Sequence, residues 1–413
     1  MPTVSTLPSP RFLDSRTPPH IATLILLAGL PALSMNIFLP SLPIMAEAFD
    51  TPYRVMQLSV SLYLGVNAAL QVFVGPIADR FGRRPLLLIS FAAFVLASIG
   101  CAVSTSIEVF LVFRMLQAVG ATGLVLSRAI VRDMVPQAQA ASMIGYVTMG
   151  MSVVPMVGPV IGGALDEALG WQASFWLLTL AGALVLWLIW ADLGETGPDD
   201  HPTFAHQFAE WPELLGAPRF WGYVAAALFS SGAFFAYLGG APFVGSEVFG
   251  LSPAHLGFYF GAPAVGYFIG NWISGRFSVA MGIDRMILIG SVLTLAGLVL
   301  SSVLSAMGFG SAEMFFAFMT FVGLGNGIVL PNANAGFLSV RPHLAGTAAG
   351  LGGAAMIGGG AGLSAFAGSL LGPGSSELPL LLLMTACAAL ALLAILFVRA
   401  RKQVLDRPAA AAE

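Results

Sequence analysis

The chain is a succession of long apolar runs separated by short breaks that hold charge, proline and glycine. Six runs fall near 21–43, 55–77, 85–104, 107–131, 140–165 and 172–191, and six more near 219–243, 254–276, 286–306, 313–338, 345–371 and 378–398. Most match the roughly 20 apolar residues that a helix needs to cross a bilayer core about 30 Å thick. The pattern predicts an all-α integral membrane protein of twelve transmembrane helices. The run from Ile21 is too long for a signal-peptide core and is read as the first span, behind a Pro- and Ser-rich tail at 1–20.

A polar break at 192–218 carries Asp192, Glu195, Asp199, Asp200, Glu210 and Glu213. It divides the chain into six-helix bundles at 21–191 and 219–398, joined by a linker at 192–218 and followed by a tail at 399–413. In the linker, Phe204, Phe208, Trp211 and Leu215 recur at helical spacing and predict a short helix along the membrane interface. The halves echo one another at an offset near 200 residues. Arg80-Phe81 is matched by Arg276-Phe277, and Val119-Gly120 before Leu124-Val125-Leu126 is matched by Val322-Gly323 before Ile328-Val329-Leu330. Two related halves about a central cavity, with the substrate site near mid-membrane, is a transporter plan.

Composition agrees, since charged residues make up 9% of the chain and apolar residues 57%. A soluble protein carries about 25% charge to cover its surface. The basic residues also set the orientation. With the N-terminus cytoplasmic, the inner loops and tails hold Arg11, Arg16, Arg80, Arg83, Arg84, Arg128, Arg132, Arg219, Arg276, Arg285, Arg341, Arg399, Arg401, Lys402 and Arg407. The outer loops hold only Arg54, and Arg114 lies within a span, so both termini are expected to be cytoplasmic. A net charge of −3 and the lack of any polybasic run argue against nucleic acid as a partner.

Nothing points to an enzyme or a cofactor. The chain has no paired catalytic groups or metal-ligand cluster at helical spacing, and no phosphate-binding Gly-Lys motif. Cys101 and Cys387 lie in apolar runs and read as small buried hydrophobes.

The chemistry concentrates in a few motifs. Gly75-Pro-Ile-Ala-Asp79-Arg80-Phe81-Gly82-Arg83-Arg84-Pro85 joins spans two and three. Its glycines permit a tight turn, and Asp79 and Arg83 suit ion pairs that hold one conformation and release in another. The string resembles the signature loop of the major facilitator superfamily. Span five, with Pro155, Gly158, Pro159, Gly162 and Gly163, is similar to the Gly-Pro motif of that family's exporters, and its small residues allow close helix packing. Span four carries Arg114-Met-Leu-Gln117-Ala-Val-Gly120, similar to the family's arginine motif there. A mid-span arginine costs about 2.5–3.5 kcal/mol on insertion scales, so Arg114 is expected to face the cavity and find acceptors.

Ser127-Arg128-Ala-Ile-Val-Arg132-Asp133 resembles the end of span four in the bicyclomycin and chloramphenicol exporters, as does Gln57-Leu-Ser-Val-Ser-Leu-Tyr63 leading to Gln71. By that resemblance Asp133 and Arg83 join Asp79 in a cytoplasmic charge network. In span one, Leu33-Ser-Met-Asn36-Ile-Phe-Leu39-Pro40 resembles the same branch, but Asn36 stands where the family usually has aspartate. Asn36 and Arg114 lie at equal depth, so contact between them is expected. An asparagine accepts a hydrogen bond but does not titrate, and no Asp or Glu lies near the middle of any span.

Tyr63, Asn67 and Gln71 share one face of span two. Asn271, Asn326, Asn332 and Asn334 supply amides in the second half, and Phe234, Phe235 and Tyr237 add aromatic surface. The resemblance implies a monomeric drug–proton antiporter of a bacterial inner membrane, exporting amphipathic small molecules by alternating access. The alternative is a metabolite transporter on the same scaffold without conventional proton antiport.

Overall fold

The computed structural model describes residues 12–15, 17, 19–134, 154, 157–196, 211–341 and 344–410, and every regular element among them is a helix. Ten helices are long and apolar enough to cross a membrane. They are α1 (Ile21–Ala48), α2 (Tyr53–Phe81), α3 (Arg83–Val103), α4 (Ile107–Val131), α6 (Gln172–Asp192), α7 (Pro218–Val248), α9 (Ile283–Phe309), α10 (Ala312–Ser339), α11 (Gly346–Ser369) and α12 (Leu378–Gln403). The two other expected spans are α5, helical over 157–169, and α8 (Ala262–Met281), in which Asn271, Ser274, Arg276 and Ser278 dilute the apolar character. The start of the expected fifth span and most of the expected interfacial helix lie outside the described residues. Of the latter, Trp211–Leu215 is helical.

Two spans are broken where a continuous run was expected, and proline explains both. The first α-helical stretch ends at Asn36 and passes through a 3₁₀ turn at Leu39–Ser41 before resuming at Leu42. Pro40 has no N–H to offer the Asn36 carbonyl, so the helical ladder cannot continue there. The run expected at 254–276 divides into Pro253–Tyr259 and α8, each with proline in its first turn. Proline suits that position because the first helical N–H groups have no intrahelical partner.

The repeat read from the sequence reappears in the backbone. Gly82 (φ 89°, ψ 149°) ends α2 and starts α3, and Gly282 (φ 82°, ψ 148°) does the same between α8 and α9. A positive φ favours glycine because a Cβ clashes there. Ser106 caps α4 by accepting from Val109 N, and Ser311 caps α10 by accepting from Met314 N. Both serines satisfy an otherwise orphaned helix N–H.

Packing relies on small residues. Gly323 lies against the Pro263 carbonyl, Gly270 against that of Leu324 and Gly327 against that of Tyr267, which lets the backbones of α8 and α10 approach closely. The short segment before α1 is tied down as well. Leu13 N (2.7 Å), His20 N (2.9 Å) and Thr23 Oγ1 (2.6 Å) all donate to the buried Asp192 carboxylate at the end of α6.

Candidate functional site: a central cavity with a gate at each end

Because the helices alternate in direction, the loops gather at two ends. One end holds most of the arginines and is called the basic end. The other holds Glu47, Asp50, Glu108, Asp166, Glu167, Glu247 and Glu313 and is called the acidic end. A hollow of about 910 Å³ at the acidic end is lined by Glu47, Asp50, Arg54 and Glu247 and is a surface vestibule. At mid-depth, between the halves, lies a cavity of about 260 Å³.

The central cavity draws on α1, α4, α7, α8, α10 and α11. Its wall is largely aromatic and aliphatic, with Phe234, Phe235, Phe260, Tyr267 and Met356. The polar members are Asn36, Ser231, Asn326 and Arg128. Asn326 Oδ1 accepts from Ser230 Oγ at 2.7 Å, which fixes that amide. Asn36 Nδ2 donates to the Ala32 carbonyl of its own helix at 2.7 Å. No carboxylate lies among the described lining residues.

Arg114 is placed differently from the sequence expectation. It is fully buried inside the first half, away from the cavity wall, and does not meet Asn36. Nε donates to Ser59 O (3.2 Å), Nη2 to Ser34 O (2.9 Å), and Nη1 to Ser34 Oγ (3.0 Å) and to Gln117 Oε1. The break after Asn36 explains this arrangement. It leaves the Ser34 carbonyl without a donor four residues on, and the guanidinium supplies one. The cation lies 4.3 Å from the Phe38 ring centroid and 4.1 Å from that of Tyr63, whose electron-rich faces attract it. Gln117 passes the chain on to Ser98 Oγ (2.7 Å), and Tyr63 OH donates to Pro31 O (3.2 Å). Asn67 is buried with its Oδ1 unpartnered, while Gln71 meets Gly353 of α11.

Elsewhere in the second half, Asn271 and Asn332 bond mainly within the bundle, to Tyr267 O and to Ser274 Oγ respectively. Tyr237 is buried against Phe260 and Phe316 rather than facing the cavity.

Sequence reasoning placed Arg128 among the inner loops, because residue order alone does not show which way a helix face points. In the structure it belongs to the helical stretch Thr122–Met134, with its side chain exposed on the cavity wall. The available signal was an arginine three residues before the end of the apolar run at 107–131.

At the basic end, Arg83 pairs with Asp133 and stands 3.7 Å from Asp79. Arg80 lies over the Phe81 ring at 5.6 Å, and Arg84 Nη2 donates to Trp190 O at 2.9 Å. Arg132 is helical, but its side chain lies outside the described parts. Glu195, placed by the sequence in the polar linker, accepts from Arg83 N (2.9 Å) and Arg84 N (3.2 Å). It thereby caps α3, where an anion also favours the positive end of the helix dipole.

The acidic end is sealed across the halves. Tyr53 OH donates to Gly239 O (2.9 Å), and Gln57 Nε2 donates to Ser364 Oγ (2.8 Å). The glycine face of α5 completes the seal. Gly158 and Gly162 seat this face on α1 of the same half, where a Cβ on Gly158 would stand 3.6 Å from that of Asn36 and Gly162 lies against the Ile37 backbone. Gly163 lies against Pro253, and Gly257 against the Pro159 carbonyl. Glu167 accepts from Ala254 N (3.2 Å).

The comparisons with known proteins agree with this architecture. Residues 24–362 match the family model described as Major Facilitator Superfamily. The chain is 32% identical over 339 residues to a chloramphenicol resistance protein of Pseudomonas aeruginosa, covering 79% of this chain and 78% of that one. It is 30% identical over 388 residues to a bicyclomycin resistance protein homolog of Haemophilus influenzae, covering 92% and 96%. Among solved structures, a bacterial homolog of the human lysosomal transporter Spinster, in an inward-facing and occupied conformation, shares the fold at a TM-score of 0.68 and 18% identity, over 93% of this chain and 96% of that one. The chain is a multi-pass membrane transporter of small molecules that belongs to the major facilitator superfamily, among its chloramphenicol- and bicyclomycin-resistance relatives.

Proposed function

We propose that this transporter exports amphipathic small molecules in exchange for protons, by rocking its halves about the central cavity. The observation that carries this reading is the cavity itself. It lies between the halves, is walled among the described residues by aromatics, amides and the Arg128 cation, and is sealed at the acidic end. The resistance relatives support drug-like cargo. In this reading the basic end is cytoplasmic, as positive-inside loops require, and the membrane is a bacterial inner membrane. The bundles at 21–191 and 219–398 are the rocking bodies, and a monomer suffices.

The test uses inside-out vesicles with an imposed proton gradient, read by a pH-quenched dye. Chloramphenicol- and bicyclomycin-like compounds are expected to trigger proton release in wild-type vesicles. Absence of both compound uptake and proton release across such a panel, from folded protein, would count against export. A second reading, solute transport uncoupled from protons, is favoured by Asn36 and by the lack of a carboxylate among the described lining residues. Compound uptake without proton release would select it.

The basic-end charges offer a second test. Asp79 and Asp133 both face Arg83, so they steady one arrangement of α2, α3 and α4. Asp79→Asn is expected to slow turnover about 3- to 10-fold with little change in apparent substrate affinity, since surface pairs contribute roughly 0.2–1 kcal/mol each and networks with a buried member such as Arg83 more. Unchanged turnover in a transport time course would remove these charges from the alternation mechanism.

A further inference from the structure

We infer that Arg128 makes the central cavity selective for anionic amphipathic compounds, with the guanidinium as the counter-charge for a carboxylate or similar acid. The inference rests on the export reading and deepens it by assigning the class of cargo. The first observation is geometric. Among the described residues, Arg128 is the one formally charged side chain on the cavity wall, and its surroundings include Phe234, Phe235, Phe260 and Tyr267. It therefore presents a cation at one place in an otherwise apolar and aromatic enclosure.

The second observation is what Arg128 lacks. Arg114, also within the bundle, is fully buried and saturated by neutral acceptors and two ring faces. Arg128 makes no hydrogen bond or ion pair with any described residue, and its side chain is exposed to the cavity. An arginine at membrane depth is costly unless it faces a wet cavity or finds a partner. A protein that saturates one such cation and leaves the other open to the cavity has kept the second for a partner that comes and goes.

Charge and shape define that partner. The planar guanidinium offers a forked set of donors that matches a carboxylate. Phe234 and Phe235 offer ring surface, and the amides of Asn36 and Asn326 add polar contacts that do not depend on charge. A cavity of about 260 Å³ accommodates a fused two-ring acid rather than a large macrocycle. A permanent cation meets like charge at Arg128 and finds no carboxylate among the described lining residues, so it is disfavoured.

The experiment compares three probes of one shape and different charge. Purified full-length protein in detergent near neutral pH is titrated calorimetrically with 2-naphthoate, 2-naphthamide and 2-naphthylmethylammonium. Wild type is expected to bind naphthoate most tightly and the ammonium most weakly. Arg128→Gln is expected to weaken naphthoate at least 10-fold while changing naphthamide less than 3-fold, and the retained naphthamide affinity shows that the cavity is intact. Arg128→Lys should keep the anion preference, and Arg128→Glu should transfer it to the ammonium.

Equal affinities of all three probes for wild type, or undiminished naphthoate affinity in Arg128→Gln, would overturn the assignment. Either result leaves the export reading standing if neutral chloramphenicol still drives transport in vesicles. Failure of wild type to bind any of the three would overturn both the assignment and the cavity as the cargo site. If Arg128→Gln does not fold, the order of the three probes on wild type and on Arg128→Lys decides the matter.

Discussion

Arg114→Ala is expected to abolish transport and to lower the melting temperature of the solubilised protein, while leaving membrane insertion intact. Insertion depends on the hydropathy of the span, and that rises when the arginine is removed. The fold pays for the loss in two ways. The Ser34 and Ser59 carbonyls and Gln117 Oε1 lose a donor inside the bundle, at about 1–3 kcal/mol for each group left unsatisfied. The large side chain also leaves a void between Phe38 and Tyr63, and truncations of that size cost several kcal/mol, about 3–5 for an aromatic. Arg114→Lys separates charge from shape. Lysine keeps the cation but not the planar fork that reaches Ser34, Ser59 and Gln117 at once, so transport below about one tenth of wild type is expected. Thermal melts and compound uptake on matched amounts of protein check both variants. Normal transport in Arg114→Ala would show that this polar cluster is dispensable.

Gly163→Ala is expected to open the acidic end. Its new Cβ would stand 2.8 Å from the Pro253 carbonyl carbon and 3.0 Å from Ala254 Cα. Those are backbone atoms of the other half, so no side-chain rotation relieves the clash and the two halves must part. Overpacking of this kind costs about 1–3 kcal/mol, which corresponds to a shift of roughly 5- to 150-fold between two conformations. Gly65→Ala is the control, because nothing lies within 4 Å of its Cβ position. Labelling of Met35→Cys by a membrane-impermeant thiol reagent from the acidic side should accelerate several-fold in Gly163→Ala and stay unchanged in Gly65→Ala. Turnover should fall at least 10-fold with it. Equal labelling rates would mean that the glycine face of α5 does not control the seal.

Hydropathy made most of the spans legible because burial in lipid places a demand on every residue of a helix. The expected runs at 107–131 and 172–191 correspond to helices at Ile107–Val131 and Gln172–Asp192, within a residue of the sequence boundaries. The breaks after Asn36 and at Phe260–Gly261 were harder to see, since a proline tolerated within one span ends another. Side-chain direction was the weakest point. The sequence places Arg114 within span four, facing the cavity, and Arg128 among the inner loops. The structure turns the first into the bundle and the second toward the cavity, because the break in α1 offers Arg114 a free carbonyl and Arg128 meets no such acceptor among the described residues. Glu195 was hidden for a different reason: its cap on α3 joins residues more than a hundred positions apart.

The clamp on Asp192 has a consequence for how the protein is made. Its three donors, Leu13 N, His20 N and Thr23 Oγ1, come from the start of the chain, 169 to 179 residues before their acceptor. Chains are synthesised from the N-terminus and tend to fold domain by domain, so these groups must wait for α6 to emerge from the ribosome. Their docking then closes the first bundle by joining its beginning to its end. The latch is therefore a late step in completing this part of the fold, since its acceptor is the last of its members to be made.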